Sequence, residues 1–378
     1  MKRAPTRDIL FLFFATRVAL VLVTYFGYVL LTAPKYSSIP IDSAFFTSWN
    51  HWDAANYTRI AQYGYQMRYD VAFFPLFPLL IASIAHLLGN WSYIVVGMLI
   101  SNVAFLGALF VIYLLAADSS DDQVARRTIL YLSIFPTAFF FFAAYNESLF
   151  VLLTASTFLV LRRRWWWLAG VLGLLATLTR ATAVLLVVPY LYEFWLAREQ
   201  LVTSRRTLLF GLLPLLLIPL GTALYCLYCW HIRGDPFAFA TLQYHWARHL
   251  SWPWDGIWQS LYQLLWNQPF GSFYQAHVLL DFGATLALIT LVILGWHRLR
   301  ISYTLWAVLL ILSMLLNAAV SQDPLVSAQR FMLEVFPVFI TLAMLSVARP
   351  RLHQALLLFF PTLLATLSLL FVMNRWMV

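Results

Sequence analysis

Long apolar runs decide what this chain can be. A helix crosses a bilayer in about 20 apolar residues, and the 378-residue sequence holds run after run of them, beginning with Ile9 to Ala33. That first run is too long for the apolar part of a secretory signal and reads as a retained span. Only 10% of the residues are charged, whereas soluble proteins carry about 25%. Lipid offers no partner for a backbone N–H or C=O, so each span must be a helix. The expected fold is an all-α polytopic membrane protein, one transmembrane domain over residues 1–378. Spans are expected near 9–33, 93–116, 128–144, 148–161, 165–179, 182–197, 207–230, 277–296, 303–320, 331–348 and 353–373, about 11 in all.

The net charge of +9 would suit nucleic acid if the arginines formed one patch. They instead form short clusters between apolar runs, the pattern of topology signals, and no nucleic-acid partner is expected. The lipid bilayer is the expected surrounding. Residues 73–89 are apolar but short, with Pro75 and Pro78 near their start. If they lie along the outer surface, 15 of the 24 lysines and arginines fall on the other side, among them Lys2, Arg3, Arg126, Arg127, Arg162–Arg164, Arg205, Arg206, Arg298 and Arg300. The positive-inside rule therefore makes 73–89 non-spanning and the N-terminus cytoplasmic. Residues 34–92 become a first outer loop with juxtamembrane helices, and 231–276 a second large outer loop.

That topology gathers five polar patches on the outer face: WDAANY, YNES (145–148), LTRAT (178–182), RGDPFAFATLQYHW (233–246) and SAQRF (327–331). Asp53 is the best candidate for a general base, an acid beside aromatics at the membrane surface. Its structural alternative is the N-cap of the helix that AANYTRIAQY would form. Glu147 could bind acceptor hydroxyls, or simply favour a helix N-terminus. Arg180 and Arg330 could clamp a phosphate, or snorkel from span ends. Glu334, four residues beyond Arg330, would share its helical face and hold it. His245 and His249 have i, i+4 spacing but lack the glutamate of HExxH, so no metal or other cofactor is expected. Cys226 and Cys229 lie within one apolar run and read as helix packing. Asn56, Asn90 and Asn146 fit the glycosylation pattern by coincidence, since two of them fall inside these motifs. No nucleotide-binding motif occurs. On the residues alone, a membrane transferase, a lipid transporter or flippase, and a non-catalytic assembly subunit all stay open. The absence of a repeat and the gathering of ionisable groups at one face speak against a secondary transporter.

Trp52-Asp53-Ala54-Ala55-Asn56-Tyr57, Ile60-Ala61, Gly64-Tyr65 and Phe73-Phe74-Pro75-Leu76-Phe77-Pro78 resemble the PIG-V type mannosyltransferases, which add the second mannose in GPI-anchor assembly. Ala143 to Phe150 is similar to that family's second signature, with Asn146 where serine is usual. Thr179-Arg180 and Ser327-Ala328-Gln329-Arg330 with Pro337 look like its later ones. The resemblance runs from about residue 50 to 340. It implies a GT-C fold, a polyprenyl-phosphate mannose donor, a glycolipid or glycan acceptor, and inversion at the sugar. It makes Asp53 the base, with Glu147 also catalytic, and Arg180 and Arg330 the phosphate stabilisers. Tyr145, Glu147 and Gln243 would orient sugars, and Trp52, Tyr57 and Asn146 complete the binding set. Ala181-Thr182-Ala183 replace the eukaryotic Ser-Asn-Gly after the arginine, which leaves the reaction class intact and the identity of the acceptor open. The compact chain resembles bacterial members, which implies a cytoplasmic membrane with the site facing outward; a eukaryotic member would face the lumen of the endoplasmic reticulum.

Overall fold

A computed structural model describes residues 5–32, 35, 45–201, 205–319 and 323–375. Lys2, Arg3 and the stretch 36–44 of the first loop lie outside them, as do the side chains of Arg205, Arg206 and Trp246. The described residues are helical, and their only ladder pairing is one isolated bridge, Arg248 to Ala319. Among them six helices are long and apolar enough to cross a membrane: Thr6–Thr32, Tyr93–Ser119, Ala181–Arg198, Leu208–Arg233, Phe273–Gly295 and Pro350–Val372. A seventh is reached if Ala328–Glu334 and Phe336–Ala348, bent by 86°, form one span. Leu76–Leu87, Trp166–Thr177 and Ile301–Leu315 are shorter apolar helices.

The eleven expected spans are thus not reproduced as eleven long helices, and two breaks explain part of the difference. The run 128–144 stops as a helix at Ile134, because Pro136 cannot continue it. A 3-10 turn, Ala138–Phe141, follows. The run 331–348 breaks at Val335, just before Pro337. Both breaks are buried in protein, where a freed backbone group can find a partner. The non-spanning reading of 73–89 fits a helix, Leu76–Leu87, of 12 residues. At 1.5 Å per residue that is about 18 Å, short of the roughly 30 Å hydrocarbon layer.

The chain forms two compact units, residues 1–66, 75–152 and 342–377 in one, and 67–74 with 153–341 in the other. In the first, Tyr93–Ser119 is the central helix, burying Phe105, Leu109, Ile112 and Tyr113. Gly97 lets it meet Ile81 and the Ala144 turn closely; a Cβ there would sit 2.8 Å from the Ala144 Cβ. An aromatic cluster closes this core: Phe140 lies 4.7 Å from Tyr145, and Phe139 lies 5.3 Å from Phe371. In the second unit, Trp166–Thr177 packs on Leu217–Arg233. Gly173 and Gly221 allow this, since a Cβ at Gly173 would sit 2.6 Å from Ile218 Cγ1 and one at Gly221 2.6 Å from the Leu174 carbonyl oxygen. The segment 67–74 is tied to the second unit by Tyr225, whose hydroxyl donates to the carbonyls of Val71 (2.7 Å) and Phe73 (3.1 Å).

Candidate active site

The first unit carries the Trp-Asp motif. The helix Asp53–Tyr63 begins at Asp53 itself. The capping position falls to Trp52, whose side chain makes no capping bond and whose φ of 55° is left-handed. Asp53 is therefore the first helical residue and not the N-cap that was the structural alternative. A bulky residue in that conformation is strained, and such strain persists only where surroundings enforce it. Here the enforcing contacts flank Trp52. The His51 carbonyl accepts from Ala54 N (3.1 Å) and from the Tyr145 hydroxyl (3.4 Å). Thr58 Oγ1 donates to Asn50 Oδ1 (3.0 Å). Burial pushes the His51 imidazole below its ordinary value, against a hydrogen bond to the Val372 carbonyl.

The second motif braces the first through Tyr145. Tyr145, Asn146 and Glu147 are buried, at 0%, 1% and 0% exposure, whereas Asp53 is half-buried and Trp52 is exposed. Tyr145 is fixed at both ends, its carbonyl accepting from Ser101 Oγ (2.7 Å). Its ring is closed off, so its visible role is to hold His51. Asn146 is likewise too buried to receive a glycan. Tyr57 is buried against Phe77, ring to ring at 5.0 Å. Arg17, inside the first span, donates to Asn102 Oδ1 (3.0 Å) and to the Phe141 carbonyl (3.3 Å). Asn102 in turn donates to the Phe142 carbonyl (3.0 Å). The turn that leads into Glu147 is thus held by a buried arginine and its asparagine.

The second unit gathers cations. Arg180 precedes a 3-10 turn, Ala181–Leu186, and makes an ion pair with Glu334. Glu334 lies in the same short helical stretch as Arg330, before the break at Val335, and it pairs with Arg180. The Arg180 guanidinium carbon lies 5.3 Å from the Phe331 ring centre, and that of Arg248 lies 5.1 Å from it. Arg330 is 5% exposed in the short helix Ala328–Phe331. Three arginines and one glutamate within one segment of chain and its neighbours carry a net charge of +2, a grouping suited to phosphate. Gln243 donates to the Phe239 carbonyl at 3.4 Å. His245 stacks on Tyr69 at 4.7 Å, and Ala247 turns left-handed. His245 and His249 therefore do not share a helical face. Among the described residues no group of three metal-binding side chains occurs.

Two residues of this region were not singled out from the sequence. Arg248 is one; only its place in an aromatic-rich loop hinted at it. Asp281 is the other, a wholly buried acid in the apolar helix Phe273–Gly295. Its carboxylate accepts from the backbone N–H of Ser327 (3.1 Å) and Gln329 (3.0 Å), so it grips the loop that ends in Arg330. Asp323 is hydrogen-bonded with Asp281, and lies 4.0 Å from His277 Nδ1. Burial raises the Asp323 carboxyl above its ordinary value. The signal available in the sequence was an ionisable residue within a span, which marks function or a partner by default.

The bundle is that of the GT-C membrane glycosyltransferases. It superposes on the crystal structure of ArnT from Cupriavidus metallidurans bound to undecaprenyl phosphate with a TM-score of 0.53 and 14% identity, over 94% of this chain and 63% of that one. An Archaeoglobus fulgidus oligosaccharyltransferase tethered to an acceptor peptide aligns with 14% identity and a TM-score of 0.45, over 94% and 55%. AglB from the same organism, in complex with an inhibitory peptide and a dolichol-phosphate, aligns with 13% identity and a TM-score of 0.42, over 94% and 56%. The chain spans just under two thirds of the first structure and a little over half of the other two. No curated protein matches it in sequence. The mannosyltransferase (PIG-V) family model matches residues 9–347, and the chain belongs to that family.

Proposed function

We propose that this protein transfers a hexose, mannose, from a polyprenyl-phosphate sugar to an acceptor hydroxyl at the outer face of the membrane, with inversion. Membership of the PIG-V family over residues 9–347 carries this reading. The acceptor oxygen attacks the anomeric carbon opposite the phosphate, the carbon–oxygen bond to phosphate breaks, and polyprenyl phosphate leaves. Asp53 takes the hydroxyl proton. Of the two acids in the motifs it is the accessible one, half-buried at a helix start, whereas Glu147 is wholly buried. Tyr145 acts behind it, its hydroxyl donating to the His51 carbonyl (3.4 Å), and Asn146 and Glu147 follow Tyr145 in the same buried stretch.

Charge develops on the departing phosphate, and preorganised donors stabilise it most. Arg180 and Arg330 serve there, joined by Arg248. Glu334 holds the Arg180 guanidinium so that little reorganisation is needed. Gln243, Trp52 and Tyr57 serve substrate binding, and the acceptor is a glycolipid or glycan.

The test is direct. Purified protein is incubated with labelled polyprenyl-phosphate mannose and a membrane lipid extract, and the labelled product is identified. Transfer of label to a lipid or glycan supports the reading. Intact donor after long incubation with a range of extracts would refute it.

A further inference from the structure

A second grouping of arginines lies apart from the residues assigned above. A cavity of about 110 Å³ in the second unit is lined by Arg162, Arg164, Glu193, Leu196, Ala197 and Arg300, among others. Its guanidinium groups come from three places: the last turn of Glu147–Arg162, the turn after it, and the residue before Ile301–Leu315. Glu193, 6% exposed, accepts from Arg300 Nε (3.3 Å), Arg300 Nη2 (3.0 Å) and Ser302 Oγ (2.6 Å). That carboxylate is pinned and its charge offset by Arg300. Arg162 Nη1 donates to the Tyr303 hydroxyl (3.2 Å), which steadies a second guanidinium. Three arginines against one glutamate leave a net charge of +2 around the cavity.

Arginines at helix ends usually serve topology, and a basic residue in the last turn also suits the helix dipole. Neither role requires guanidinium groups from separate segments to line one space. We propose that this cavity binds a phosphate group, presented by an anionic lipid head group or free in solution. Its size favours that class. Sites for drug-sized ligands begin near about 300 Å³, so this one suits a compact anion better than a sugar or a nucleotide. The flanking residues favour a lipid as the source. Trp165 and Trp195, each 53% exposed, adjoin the lining residues Arg164 and Leu196 in the chain, and Leu196 is itself 47% exposed. Exposed tryptophans with arginines against them are what the head-group layer of a membrane selects, here Arg163 at Trp165 and Arg198 at Trp195.

The experiment uses the full chain in neutral detergent and follows its thermal unfolding against added phosphatidylglycerol, phosphatidylcholine or inorganic phosphate. Phosphatidylglycerol should stabilise the parent saturably, and phosphatidylcholine should not. Arg162→Gln with Arg164→Asn should weaken the response at least about tenfold, the loss expected for charge-assisted contacts; asparagine suits the left-handed backbone at 164. Arg162→Lys with Arg164→Lys keeps the charge that sets topology but loses the planar fork, and should weaken it several-fold. If millimolar phosphate displaces the lipid response, free phosphate is also a ligand; if it does not, the lipid is the source. Both results support a phosphate site. Equal stabilisation of the parent and both variants, or no stabilisation of the parent by any of the three, would overturn it.

Discussion

Asp281 should govern the loop that carries Arg330. Its carboxylate is wholly buried and takes two backbone N–H groups, those of Ser327 and Gln329, which are themselves 5% and 3% exposed. No water can replace a partner lost at that depth. An unsatisfied buried donor costs about 1–3 kcal/mol, so Asp281→Ala, which strands two, should weaken the loop by about 2–6 kcal/mol. Asp281→Asn keeps one acceptor oxygen and turns an amide toward the other N–H, so it should cost about 1–3 kcal/mol. Ser327 adds to the effect. Its φ of 69° is left-handed, a conformation that costs about 1–3 kcal/mol unless its surroundings hold it. The suitable assay is local, because a global melting temperature averages over the whole bundle. Hydrogen exchange of a peptide covering 323–331 should quicken about 5- to 150-fold in Asp281→Asn. Use of the donor sugar should fall with it, because Arg330 follows Gln329 directly. Unchanged exchange and unchanged donor kinetics in Asp281→Ala would refute the claim that this carboxylate holds the loop.

Other expectations concern the proposed reaction and the topology. Asp53→Asn should insert and bind donor normally yet transfer sugar at least about a hundredfold more slowly, since general-base assistance is worth about 10²–10⁴; near-normal turnover would move the base to Glu147. Arg180→Gln and Arg330→Gln should each weaken donor use about ten- to a hundredfold with little effect on acceptor use, and normal donor kinetics in both would leave them as snorkelling anchors. The folded state holds the His51 pKa below its unfolded value of about 6.5, so its contribution to stability is complete above that pH and is lost as pH falls through and below it. His51→Gln should therefore flatten the decline in stability between pH 7 and 5, and a parent-like decline in that variant would remove His51 as the cause. Single cysteines placed at Arg163 and Phe237, in a background without Cys226 and Cys229, should react with an impermeant reagent from opposite sides of the membrane; labelling from one side would restore 73–89 as a span.

The sequence alone determined that the chain is a helical membrane protein, because hydropathy is a property of each short segment and lipid permits few alternatives. It also located the Trp-Asp and Tyr-Asn-Glu motifs, whose residues are near neighbours in the chain. What decided the rest was contact between distant residues. Glu334 reaches Arg180 across 154 positions, and Asp281 reaches Ser327 across 46. No local pattern encodes either pairing. The same holds for the helix breaks at Ile134 and Val335. A proline warns that a run can break, but whether it does depends on what else satisfies the freed backbone. Around Phe141 and Phe142 that partner is the Arg17–Asn102 pair, supplied by two other helices. Burial divided the motifs in the same way. Asp53 is the preferred base along the chain and Glu147 the second acid, but only the packed core shows one of them half-open and the other sealed.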